Sequence, residues 1–251
     1  MLRTLLQRPA ARPDVGSGPA LLTIGHVVPG ARERSGAMSI GRLRDLLARL
    51  DGTLRVQSLA SLVCSGDEAA GRAAGSRPDE RPRAALGVEG GCLCQAQYAL
   101  PLLKAMALPH TLFLNPSRLG GAGFMTRGDV LVLLREGTGL GALWDANEPL
   151  DGLGTVEAAW NLELMAHGVL GLLASQGPSR HDPWLAVASG KGDDRLIALA
   201  RAAGFGGIAA TGERSGPNGL ERRRLGGPLR GARGWRPKSA RSFQGVCPAG
   251  R

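Results

Sequence analysis

Glu89 stands at the end of an apolar run, Ala84-Ala85-Leu86-Gly87-Val88, and is followed by two glycines. A carboxylate at the carboxyl end of a buried strand is placed to take a proton from water or to hydrogen-bond a ligand, and equally to rest as a solvated or salt-bridged charge. Three more oxygen donors, Asp145, Asn147 and Glu148, crowd one loop beside Trp144. Such groups suit a hard divalent cation, but two carboxylates on one loop do not make a cage, and a solvated loop is the simpler reading. His26, His110, His167 and His181 are scattered core or surface histidines, Glu163 and His167 forming a surface pair four apart on a helix. Cys64, Cys92, Cys94 and Cys247 have neither zinc-knuckle spacing nor a Cys-x-x-Cys, so reduced structural thiols are expected.

Two phosphate-binding patterns fail on context. Gly137-Thr138-Gly139-Leu140-Gly141-Ala142 fits a loose dinucleotide fingerprint, but Pro149 falls where the required helix should begin. Gly190-Lys191 lacks the first glycine of a phosphate loop, and Gly192 replaces the hydroxyl residue that would hold magnesium.

Strands and helices alternate along the chain. Residues 20–29 read as an apolar strand ended by Pro29 and Gly30, and 39–50 as a helix with Ser39 as N-cap and Gly52 as stop. A short strand at 54–56, a helical turn at 58–63 and a loop through 83 lead to the strand that carries Glu89. Then come a strand to Leu114, a glycine loop, a helix 127–135 capped by Thr126, a strand 140–143, a helix 156–173, a strand 184–187, a helix closing at 198–203 and a last strand 208–211. This alternation predicts parallel βα units. Residues 1–19 are expected to be a flexible extension, 20–225 one domain, and 226–251 a Gly/Pro/Arg-rich disordered tail.

The formal charge of +10 is local. Nine of the 31 basic residues and none of the 21 acids lie in 222–251, so the body is electrically balanced. Weak non-specific polyanion binding is thus an expectation for the tail alone. No run approaches a membrane span, and the N-terminal apolar run is too short for a secretory signal, so a cytoplasmic protein is expected.

The phrases flanking Glu89 resemble the polysaccharide deacetylase (NodB homology) family. There a strand ending in Thr-Phe-Asp-Asp-Gly is followed by Ala-Leu-Pro-Leu-Leu and by a strand reading Pro-Ala-Thr-Phe-Phe-Leu. Here the corresponding segments are Gly87-Val88-Glu89-Gly90-Gly91, Ala99-Leu100-Pro101-Leu102-Leu103 and Pro109-His110-Thr111-Leu112-Phe113-Leu114. The resemblance spans residues 21–225 and implies a distorted (β/α) barrel with its groove at the carboxyl ends of the strands. It also implies hydrolysis of the amide of N-acetylated sugars, with a divalent metal polarising the carbonyl and a carboxylate as base.

At the functional positions the resemblance lapses. Glu89 falls on the base, Gly90 on the metal-binding Asp, and Leu143 and Asn147 on the two histidines of His-Thr-x-x-His-Pro. The third motif, Arg-x-Phe-Ala-Tyr-Pro-x-Gly, is replaced by 183–190, and in the segment 220–226 a glycine stands for the acid-catalyst His. Leu143 and Gly90 offer no donor and Asn147 only a neutral oxygen, so no metal cofactor is expected. The resemblance implies an inactive relative of these hydrolases whose groove, lined by Glu89, Trp144, Asp145, Asn147 and Trp184, binds a glycan or a protein partner. The alternative is a diverged deacetylase with Glu89 as base and an altered metal set.

Overall fold

The computed structural model describes residues 20–30, 37–62, 81–145, 150–176, 182–187, 194–211 and 221–225. Ten strands are present among them: β1 (Ala20–Ile24), β2 (His26–Val28), β3 (Ala37–Ser39), β4 (Arg55–Val56), β5 (Arg83–Gly90), β6 (His110–Leu114), β7 (Gly139–Trp144), β8 (Trp184–Val187), β9 (Gly207–Thr211) and β10 (Glu221–Leu225). Five helices accompany them: α1 (Ile40–Thr53), α2 (Leu100–Ala105), α3 (Arg127–Arg135), α4 (Thr155–Ala174) and α5 (Asp194–Ala203).

The main sheet closes on itself. Strands β5, β6, β7, β8 and β9 pair in parallel in sequence order. β10 runs antiparallel to β9 and to β1, and β1 returns to β5 in parallel, its Ala20–Ile24 matched with Ala84–Val88. The result is the expected distorted (β/α) barrel, a ring of seven strands with the short β4 added to β5. β2 and β3 form a separate parallel pair.

Alternation along each strand divides the core into two. Ala20, Leu22, Ile24, Leu86, Val88, Leu112, Leu114, Leu140, Ala142, Leu185 and Val187 point outward and pack with the buried faces of the helices. α1 contributes Leu43, Leu46, Leu47 and Leu50, and α4 contributes Ala158, Leu162, Met165, Ala166, Val169 and Leu172, both at helical spacing. The opposite parity faces the lumen, where Leu21, Ala85, Phe113, Leu143, Trp184, Ala186 and Ala209 cluster with Leu59 and Leu62 of the helical turn 59–62.

Glycines give the lumen its shape. A Cβ on Gly141 would lie 2.6 Å from Phe113 Cδ1 and 2.7 Å from the Trp184 carbonyl oxygen, and one on Gly207 would lie 2.6 Å from Trp184 Cη2. Two rings therefore fill the barrel by lying over strands that have no side chain at those points. The stretch 137–142 that mimics a dinucleotide fingerprint is accordingly mostly strand β7, with Gly141 making room for Phe113. Gly190 to Gly192 lie outside the described residues.

Several local expectations need correction. The strand expected over 20–29 is broken at Gly25 into β1 and β2, which belong to different sheets. Helix α1 does not stop at Gly52 but runs to Thr53, because the Leu54 N–H still reaches the Leu50 carbonyl. Strand β9 is not the last: Arg222, Arg223 and Arg224, which composition assigns to a basic tail, lie in β10 and join the barrel. Charged side chains hide a strand whose backbone supplies the missing pairing. The extension 1–19 and the tail 226–251 lie outside the described residues. No helix among the described residues is long and apolar enough to cross a membrane.

Helix α3 begins with a reciprocal capping box. The Thr126 hydroxyl accepts from the Asp129 N–H at 3.2 Å, and the Asp129 carboxylate accepts from the Thr126 N–H at 2.7 Å. The Thr126 N–H and then the Thr126 hydroxyl hold the Asp129 carboxyl below its usual range. A depressed carboxyl stabilises the fold above its unfolded value and ceases to do so as pH falls through the folded one. Asp129→Asn should therefore lower the thermal midpoint at pH 7, and the gap from the parent should narrow as melts are repeated from about pH 4 downward. Gly141→Ala should cost about 1–3 kcal/mol by crowding Phe113, read from the urea midpoint.

Candidate functional site

The carboxyl ends of β1 and β5 meet around the side chain of Gln95, which is wholly buried. Its Nε2 donates to the carbonyl of Gly25, at the end of β1, at 3.2 Å and to the carbonyl of Glu89, at the end of β5. Its Oε1 accepts from the N–H groups of Gly91 at 2.8 Å and Cys92 at 3.2 Å. One amide thus meets four backbone groups at the strand ends, the contacts to Gly91 and Cys92 buried and those to Gly25 and Glu89 part-buried. Gln95 opens a wide π-type turn, Gln95–Ala99, in which the Leu100 N–H reaches back to the Gln95 carbonyl. Pro101 follows at the start of α2, where its missing N–H is tolerated.

The segment after β5 is stitched to the loop after β6. Leu93 N–H donates to Gly123 O and Met125 N–H to Gly91 O, each at 2.9 Å, and Cys92 bridges Phe124. Arg118 lies over the Phe124 ring, 5.4 Å from its centroid, and its Nε pairs with Asp145 Oδ2 at 3.2 Å. Asn115 Nδ2 donates to Asp145 Oδ1 at 3.1 Å. Both carboxylate oxygens of Asp145 are therefore engaged in holding the β6 loop against the end of β7.

The other residues singled out by sequence fall unevenly. Glu89 is half-buried, on the lumen parity with Ala85 and Gly87, and level with Phe113 across β6. Leu143 is buried within the apolar lumen cluster. Gly90 is two strands away and level with Ala142, the residue before Leu143, since Gly90 pairs with Leu114 and Leu114 with Ala142. Gly90 has φ +127° and Gly91 φ +71°, conformations that L side chains rarely adopt. Asn147 and Glu148 lie outside the described residues.

The two tryptophans expected to line the groove do not. Trp144 has the outward parity of Leu140 and Ala142 and is buried on the side of β7 that α4 covers. Trp184 is buried within the lumen, its indole over Gly207. Neither presents a face on which a sugar ring could stack. The solvent-facing tryptophan among the described residues is Trp160, on α4.

The histidines and cysteines divide in a way that spacing along the chain could not show. His110 is structural, its Nδ1 2.8 Å from the Leu108 carbonyl and its Nε2 3.2 Å from the Thr138 hydroxyl. His167 and Glu163 are exposed on α4, and His181 is outside the described residues. His26, 66 residues from Cys92, comes to the barrel mouth with its Nδ1 3.6 Å from Cys92 Sγ and 3.7 Å from Cys94 Sγ. Cys92 and Cys94 are joined as a disulfide, which overturns the expectation of reduced thiols for this pair. The available signal was position: a Cys-x-Cys directly after one parallel strand and a histidine directly after its neighbour.

The residues at the described family metal positions do not fit a cation. Gly90 brings no side chain, and Leu143 brings only carbon into an apolar cluster. Gly90→Asp, which restores the family carboxylate, should cost about 1–3 kcal/mol through its backbone, with Gly90→Ala costing a similar amount in the same urea titration.

No family model matches this sequence, and no curated protein matches it. Solved structures do. IcaB from Ammonifex degensii is 20% identical with a TM-score of 0.58, over 77% of this chain and 83% of that one. The Streptococcus pyogenes deacetylase PplD in complex with acetate is 12% identical with a TM-score of 0.60, over 74% of this chain and 80% of that one. A de-N-acetylase from Aggregatibacter actinomycetemcomitans is 15% identical with a TM-score of 0.57, over 80% and 92%. With the strand order described above, these likenesses establish that the chain is built on the polysaccharide deacetylase fold.

Proposed function

We propose that this protein is a non-hydrolytic relative of the polysaccharide deacetylases, its barrel mouth binding a glycan or a protein partner without cleaving an amide. The observation that carries this reading is the state of the position corresponding to the metal-binding carboxylate. Gly90 has a backbone conformation that glycine alone takes without strain, so the change there is built into the turn that Gln95 holds. The apolar packing of Leu143 in the lumen supports it, because burying a cation beside those carbons without ligands would be strongly unfavourable.

Glu89 favours the second reading, a diverged deacetylase. It retains a carboxylate on the lumen side at the carboxyl end of β5, where a base would act on a substrate entering the barrel. The two readings differ in product. The purified full-length chain, supplied in turn with zinc, cobalt and nickel, should release no acetate from N-acetylglucosamine oligomers above the rate of the metal alone. Acetate release that both chelation and Glu89→Gln abolish would establish the hydrolase and overturn the proposal. Metal binding without acetate release leaves the non-hydrolytic reading in place.

A further inference from the structure

We infer that His26, Cys92 and Cys94 form a binding site for a thiophilic divalent cation, zinc in particular, that opens when the Cys92–Cys94 disulfide is reduced. The site is distinct from the family's metal positions. It lies where the end of β1 meets the end of β5, and its three potential ligand atoms all fall within 4.8 Å of one another.

The distances are those that a metal would impose. Zinc bonds to thiolate sulfur at about 2.3 Å and to imidazole nitrogen at about 2.0–2.1 Å, so a tetrahedral angle places the sulfur and nitrogen about 3.6 Å apart. His26 Nδ1 lies 3.6 Å from Cys92 Sγ and 3.7 Å from Cys94 Sγ. Only the two sulfurs must move, to about 3.8 Å apart in the same geometry. The Cα atoms of Cys92 and Cys94 are 5.4 Å apart, which allows that separation by side-chain rotation.

The surroundings hold the ligands in place. Gln95 fixes Cys92 through its N–H and fixes Gly25, the residue before His26, through its carbonyl. Leu93, between the two cysteines, is tied by its N–H to Gly123. Cys92 is buried, Cys94 half-buried and His26 exposed, so the cluster has an inner wall and an open side. Three protein ligands and an open fourth position make a site for zinc with a water or an external ligand.

The chemistry balances with a thiol or phosphine reductant. A pair of thiols supplies two electrons and two protons and becomes a disulfide, whereas a phosphine supplies the two electrons and water supplies both protons and the oxygen of the phosphine oxide; either way the S–S bond is replaced by two thiols. The cation then binds the two thiolates and releases their two protons to solvent.

Cobalt replaces zinc as a visible probe. The test uses full-length protein carrying Cys64→Ser and Cys247→Ser, which leaves Cys92 and Cys94 as its thiols. After reduction by a phosphine and removal of excess reductant, one equivalent of cobalt should bind per chain. Thiolate-to-cobalt charge-transfer absorption should appear, and zinc should displace it. Before reduction the same titration should show no such absorption. His26→Ala should weaken cobalt binding at least tenfold, and Cys92→Ser with Cys94→Ser should abolish the absorption, each variant being checked for a parental circular dichroism spectrum. Folded, reduced protein that shows no thiolate–cobalt absorption would overturn the inference, and so would unchanged affinity in folded His26→Ala. The readout is spectroscopic and needs no acetate release, so it stands or falls separately from the non-hydrolytic reading.

Discussion

The mouth of this barrel depends on one buried primary amide. Parallel strands end with unpaired N–H and C=O groups, and a closed sheet gathers several such ends into a space from which water is excluded. Gln95 answers two carbonyls and two N–H groups at once, and it does so across β1 and β5, the seam at which the sheet returns to itself. A residue with only acceptors or only donors could not do this, and an apolar one would leave the buried N–H groups of Gly91 and Cys92 without this partner. The positive φ values of Gly90 and Gly91 follow from the same contact, since the chain must turn back so that both the Glu89 carbonyl and the Gly91 N–H face one side chain.

Much of the architecture was legible because it rests on periodicity. The helical faces of α1 and α4 and the alternation of strands with helices are repeated patterns, and Thr126 and Ser39 signal their helix starts through side chains that accept backbone N–H groups. What escaped was set by partners distant in sequence. Arg222 to Arg224 look like tail because strand pairing is a backbone property, and the two backbones that flank β10 are nearly 200 residues apart in sequence. The break at Gly25 escaped for a similar reason: nothing in residues 20–29 announces that Val27 must pack beside α1 while Leu21 enters the lumen.

The candidate site was half legible. Flanking phrases located the strand that carries Glu89 and the strand that carries Leu143, while their lumen-facing parity is seen only in the closed sheet. The burial of Trp144 and Trp184 and the pairing of Asp145 were not legible, because an aromatic or a carboxylate near a barrel mouth has two uses, ligand contact and framework. Only the neighbours decide. Asp145 meets Asn115 and Arg118, and Trp184 meets the bare backbone of Gly207. The His26 cluster was invisible for the opposite reason, since its members are ordinary singly and acquire meaning through the pairing of β1 with β5.

Strand β10 sits between β9 and β1, so the ring cannot close until the chain has been made almost to the end of the described segment. While the ribosome is still adding residues beyond β9, β1 has one edge without a partner, and a bare edge is a template for pairing with another chain. β10 is the last piece needed to remove it. A segment that reads as solvent-loving overhang thus sets the moment at which the nascent barrel ceases to be sticky.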